Sequence, residues 1–203
     1  YFQHQSPLWV GDVVLNPAWS TAGCLAGASF CSTADVMAIE FNSSTTHSIL
    51  VAQSSTVGTG NSAGNLTVGS LFEVIGSADP LQGEVVFKTG RSTGTTSGAV
   101  LGTCVTHLMG AFSPTIPVSM HCTAEAAMRT DVGDSGAPVY RHFFPLAGNT
   151  RYAYGSVYGS GTVNGQRRTY FAPWSNIEGW VGRSLSHVPP PPPPLTTYIA
   201  GAS

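Results

Sequence analysis

The chain has 203 residues, enough for one domain with a sizeable core and too few for two full ones. Charged residues make up 9% of it, and 8 basic against 10 acidic residues leave a formal net charge of −2, which excludes a nucleic-acid binder that depends on a basic field. Hydrophobic residues at 42% exclude wholesale disorder, while 24 glycines and 14 prolines make turns frequent and long helices few.

Short alternating stretches recur between turn signals and read as strands: DVVL (12–15), DVMAIEF (35–41), HSILVAQ (47–53), LFEVIG (71–76), EVVFKTG (84–90), APVYRHFF (137–144) and RYAYGSVYG (151–159). WSNIEGWVGRSL (174–185) alone holds a helical period, with Ile177, Val181 and Leu185 at i, i+4 and i+8, and Ser175 with Glu178 forms its expected capping box. The sum is an all-β domain of short antiparallel strands, closed as a barrel or sandwich and finished by a C-terminal helix.

The composition changes at Val188 to six consecutive prolines, 189–194, which form a stiff polyproline II linker. The domain is therefore expected over 1–187 and the linker over 188–194. LTTYIAGAS (195–203) reads as the start of a further extracellular domain, possible types including an immunoglobulin-like one. No apolar run approaches the roughly 18 residues of a membrane span. The opening at Tyr1, without an initiator Met or a signal peptide, is read as a processed or truncated end.

Four cysteines fall in two local pairs, Cys24 with Cys31 and Cys104 with Cys122, and none has a CxxC spacing for zinc or redox chemistry. Buried free thiols are one reading; two structural disulfides in a secreted protein fit the low charge better.

The chemistry begins at GDSGAPVY (133–140). A serine on a tight turn between Gly133 and Gly136 leaves the N–H groups of Gly133 and Ser135 able to point at one spot, which is how an oxyanion hole is built. The string alone is weak, because a glycine-rich hairpin has the same composition. Its surroundings are more specific: GDSG followed by a small residue, Pro and an apolar strand resembles the nucleophile loop of chymotrypsin-fold serine peptidases. KTGRSTGTTSGAVLGTC (88–104), YGSVYG (154–159) and TYFAPWSNIEGW (169–180) are similar, in the same order, to segments of the secreted bacterial streptogrisin-like and trypsin-like branch. The resemblance covers about residues 1 to 186 and implies two antiparallel β-barrels, the first incomplete at its N-terminal side.

It also implies roles. Ser135 is the nucleophile, and Asp35, in SSTADVMAIEF, matches the triad acid that orients the imidazole. No segment matches the motif of the catalytic histidine. His4 precedes Asp35 in a context that does not fit, and His47, His107, His121, His142 and His187 follow Asp35 and break the chain order. The expectation is a fragment whose catalytic histidine lies upstream of Tyr1. The primary-pocket floor falls on Arg129, a cation that would favour acidic side chains unless Asp131 points inward, and the wall on Val157, Tyr158 and Gly159. Arg91 is expected to pair with buried Asp134 and hold the oxyanion loop. The disulfides are expected as Cys24–Cys31 and Cys104–Cys122, since the other pairings would join different barrels.

The reading is a secreted, monomeric serine endopeptidase acting on polypeptides, with no cofactor, metal, nucleic acid or membrane span. The alternative is a catalytically inactive relative serving as an extracellular binding or adhesion module.

Overall fold

The computed structural model describes residues 11–15, 19–36, 38–41, 50–109, 116–141 and 150–182. The linker and the segment after it lie outside these, as do His4, His47, His142 and His187. The described residues form twelve strands and a helix: β1 (Gly11–Leu15), β2 (Phe30–Ser32), β3 (Ala38–Phe41), β4 (Leu50–Ser54), β5 (Gly58–Thr59), β6 (Val68–Ser77), β7 (Val85–Gly90), β8 (Gly94–Met109), β9 (Val118–Ala126), β10 (Pro138–Arg141), β11 (Thr150–Val163), β12 (Gln166–Pro173) and α1 (Trp174–Val181).

Each strand expected from alternation is present, with 47–49 and 142–144 of the expected spans outside the described residues. The second expected strand starts at Ala38, leaving Asp35 and Val36 in the segment before it.

Six strands close on themselves. β10 pairs with β7, then β8, β9, β12 and β11 follow, and β11 pairs back with β10, all antiparallel. Every strand of this ring sends at least one apolar side chain into a shared interior: Val86, Val100, Ala124 and Ala126, Val139, Tyr154 and Val157, and Phe171. A closed sheet leaves no interior edge to solvate, and period-2 alternation fills the middle. Outside the ring, β1 and β3 pair with each other as a separate two-stranded sheet. Not all pairing is antiparallel: β2 runs parallel to β9, β5 to β8 and β6 to β11.

Both disulfides form as expected, Cys24–Cys31 beside β2 and Cys104–Cys122 between β8 and β9. The second sits where the β8–β9 register slips between Gly102 and Val105.

The helix differs from expectation at its start. Pro173 is the N-cap, with no side-chain cap bond, and Ser175 lies inside the first turn. Its N–H donates instead to Asp79 Oδ1 at 3.1 Å, so a carboxylate distant in sequence supplies the acceptor that the first turn requires. Glu178 accepts from Ser77 Oγ at 3.2 Å rather than closing a capping box. Ile177 anchors α1 in a second cluster with Ala34, Met120, Tyr158 and Ala172.

Candidate active site

The segment from Arg129 to Ala137 joins the end of β9 to β10, and its geometry is set by one buried carboxylate. Asp134 has no solvent exposure. Its Oδ2 accepts from Lys88 Nζ at 2.7 Å, Thr93 Oγ1 at 2.7 Å and the Asp131 N–H at 3.2 Å. Its Oδ1 accepts from the backbone N–H groups of Ser92 at 2.7 Å and Thr93 at 3.3 Å. Lys88 is equally buried and donates a further hydrogen bond to Thr93 Oγ1. Burial pushes the Asp134 carboxyl upward, but the Lys88 ammonium, the Thr93 hydroxyl and the Ser92 N–H outweigh it and hold the group below the usual carboxylate range. Burial lowers the Lys88 ammonium, with Asp134 opposing it.

The expected Arg91–Asp134 pair is thereby corrected: Lys88 is the partner and Arg91 is exposed. On β7 side chains alternate, and Val86 and Lys88 share the buried face while Arg91 falls in the turn beyond the strand.

With its side chain fixed beneath, the loop presents its backbone outward. Asp134 N–H donates to Asp131 C=O and Ala137 N–H to Asp134 C=O, closing two consecutive turns around Ser135. Gly133 has φ +99°, a conformation that suits glycine. Ser135 is exposed. Among the described residues, the Gly133 and Ser135 N–H groups donate to no backbone or side-chain acceptor. Val132, at the outer tip, is 98% exposed.

Strand β11 forms the other side. Gly136 N–H donates to Val157 C=O at 2.7 Å and Val157 N–H to Ala137 C=O at 3.0 Å, so both backbone groups of Val157 hold the serine loop. The expected wall rests on the backbone of Val157, Tyr158 and Gly159, and of these the Val157 backbone is taken up by the serine loop. Val157 and Tyr158 are buried, the first inside the ring and the second in the cluster under α1, where its hydroxyl meets Thr123 Oγ1 at 2.7 Å. Gly159 alone of the three is at the partly exposed strand surface.

Asp35 follows Ala34, which packs with Tyr158 and Ala172. Burial raises the Asp35 carboxyl above its ordinary value. Its charge in turn contributes to the upward shift of the Tyr158 phenol, which is caused first by burial. The neighbours of the two residues meet consecutive positions of β11: Ala34 shares a cluster with Tyr158, and Gly136 and Ala137 bond to the backbone of Val157.

Arg129 does not project as a free cation. Its Nε and a terminal nitrogen reach Asp131 Oδ2 at 2.9 and 2.8 Å, and Arg167 of β12 binds Asp131 Oδ1. The two described histidines are engaged elsewhere. His121 Nε2 lies 2.9 Å from Ser119 Oγ, and His107 packs on Tyr170 beside Glu125, with burial lowering its basicity.

Sequence reasoning missed Lys88, Thr93 and Arg167. The signal for Lys88 was its parity with Val86 on β7, masked because Val85 and Phe87 make the opposite face look more apolar.

No family model and no curated protein sequence matches the chain. Solved structures do. A chymotrypsin from Cellulomonas bogoriensis aligns at a TM-score of 0.54 and 20% identity over 76% of this chain and 71% of that one. Protease A of Thermobifida fusca gives 0.56 and 20% over 88% and 80%. The Nocardiopsis protease NAPase gives 0.52 and 19% over 73% and 66%. The chain has the fold of bacterial chymotrypsin-like serine proteases.

Proposed function

We propose that the protein is a serine endopeptidase in which Ser135 is the nucleophile, Asp35 the acid that orients the base, and Gly133 and Ser135 N–H the oxyanion donors. The observation that carries this reading is the serine loop itself: an exposed serine at its apex, two N–H groups without acceptors among the described residues, and a buried carboxylate, Asp134, fixing the backbone that presents them. Donors fixed before the reaction cost no reorganisation when charge develops on the carbonyl oxygen.

In this mechanism Ser135 Oγ attacks the peptide carbonyl while an imidazole takes its proton. The tetrahedral oxyanion rests on the two N–H groups. The imidazolium then protonates the leaving amine, giving an acyl-enzyme that water hydrolyses by the same steps. Within this sequence His4 is the histidine that precedes Asp35 in the chain order of the resembling peptidases. Asp35 accepts from the second nitrogen of the imidazole. The substrate is an extended polypeptide lying along β11 from Gly159 onward. The two disulfides and the bacterial protease fold support an extracellular setting.

The second reading, an inactive extracellular binding module, is favoured by one fact: His4 is the sole histidine before Asp35 in this sequence. Labelling by a fluorophosphonate separates the two. The endopeptidase reading expects the protein extended upstream to label at Ser135 and hydrolyse fluorogenic peptides, with both lost in Ser135→Ala. If the extended protein neither labels nor hydrolyses, the binding module stands.

A further inference from the structure

The sequence makes Arg129 the floor of a specificity pocket; the structure instead makes it one arm of an ion cluster that joins two parts of the site. Asp131 is the hub. Its carboxylate is held by Arg129 on one oxygen and by Arg167 on the other. Its backbone belongs to the serine loop, with its N–H on Asp134 Oδ2 and its C=O receiving the Asp134 N–H. Arg167 belongs to the β11–β12 hairpin. The same guanidinium nitrogen that binds Asp131 also donates to Thr130 C=O at 3.2 Å. The Arg167 N–H donates to Asn61 Oδ1 at 2.9 Å, and Asn61 Nδ2 to Gly165 C=O at 3.1 Å, which pins the hairpin turn to the loop after β5.

We infer that Arg167 is a positioning residue that sets the spacing between the oxyanion loop and the substrate-facing hairpin, and that this spacing is sensitive to ionic strength. This rests on the endopeptidase reading. An extended peptide touches both parts, so its binding depends on their separation; the chemical step at Ser135 depends on the triad and on the apex of the serine loop, which Lys88, through Asp134, and the backbone of Val157 hold without Arg167. The two anchors differ in solvent access. The side chains of Arg129, Asp131 and Arg167 are 38%, 30% and 33% exposed, whereas those of Lys88 and Asp134 are fully buried. Salt at about 1 M shortens the screening length to about 3 Å, which weakens the exposed cluster and leaves the buried pair nearly untouched.

The test uses the upstream-extended protein, Arg167→Met and Arg167→Lys. For Arg167→Met, kcat/KM on a peptide spanning several residues on the acyl side is expected to fall about tenfold, mostly through KM, while a single-residue ester stays within about twofold. Arg167→Lys, which keeps the charge, should recover part of the loss. Raising NaCl should increase the peptide KM of the unsubstituted protein and leave that of Arg167→Met flat. Hydrogen exchange should quicken in both 130–132 and 160–167 in Arg167→Met, with 133–137 unchanged. The inference is overturned if peptide and ester lose activity together, if neither changes, or if exchange rises in the hairpin alone. Should the unsubstituted protein hydrolyse neither substrate, the endopeptidase reading falls, and the exchange data by themselves decide whether Arg167 couples the two segments.

Discussion

Gly90 passes so close to Asp134 that a Cβ on the glycine would stand 2.2 Å from Oδ1. The end of β7 and the carboxylate under the serine loop therefore leave no room for any side chain between them. Gly90→Ala must move either the strand end or Asp134, and it is expected to destabilise the fold by at least about 2 kcal/mol. Urea unfolding measures this, and an unchanged midpoint would show that the contact relaxes freely.

Lys88→Met should cost about 3 to 5 kcal/mol, because it strands a buried carboxylate, and Lys88→Met with Asp134→Leu should recover much of that by removing both charges. Arg91→Ala, on an exposed turn residue, should stay within about 0.5 kcal/mol. Thermal unfolding of the three variants ranks the two cations directly. A large effect at Arg91 with a small one at Lys88 would reverse the assignment.

The two site carboxylates should respond to pH with opposite signs. Asp134 has a lowered folded pKa, so the unfolded chain binds more protons just below the ordinary value of 3.8. Its stabilisation is present above that pH and is lost as pH falls through the folded value. Asp35 has a raised folded pKa, owing to burial, so the folded chain binds more protons and stability declines as pH rises from 3.8 through the folded value. At neutral pH Asp35→Asn should leave stability unchanged or higher, while Asp134→Asn should lower it and remove part of the acid-unfolding slope. Unfolding free energies measured from pH 3 to pH 7 check both signs.

On the proposed endopeptidase reading, the same Asp35→Asn change should reduce peptide hydrolysis by about 10⁴-fold, since an asparagine cannot hold the imidazole in the required tautomer. A variant that is at least as stable and nearly inactive is the signature of a residue whose burial serves the reaction. Retention of more than a tenth of the activity would remove Asp35 from the triad.

Local rules carried the reading as far as local physics decides the structure. Alternation located β7, β10 and β11 because each buries one face against a shared interior, and the proximity of Cys24 to Cys31 and of Cys104 to Cys122 named both bridges. What was not legible depended on partners far away in the chain. The acceptor for the first turn of α1 is Asp79, so Ser175 looked like a cap and is not one. The cation for Asp134 is a strand residue whose face is chosen by tertiary packing, so the turn residue Arg91 looked equally able. Val157 was expected to offer its backbone to substrate, yet that backbone bonds to Gly136 and Ala137 of the serine loop, a partner that strand alternation does not reveal.

The parallel pairings set the order in which this chain can assemble. β2 has its partner in a strand that starts at Val118, β6 adds to its local partner β4 a second one that starts at Thr150, and the ring itself closes only when β11 reaches β10. Early strands must wait for late ones, and each such wait costs loop-closure entropy before any contact is returned, which places folding in the millisecond-to-second regime of non-local β proteins, about 10⁻³ to 1 s. The serine loop draws its supports from Lys88, Ser92 and Thr93 on one side of it in sequence and from Val157 on the other. Its shape therefore requires segments on both sides of it in sequence to be in place, and a half-folded chain that lacks β11 lacks the loop geometry on which the proposed function rests.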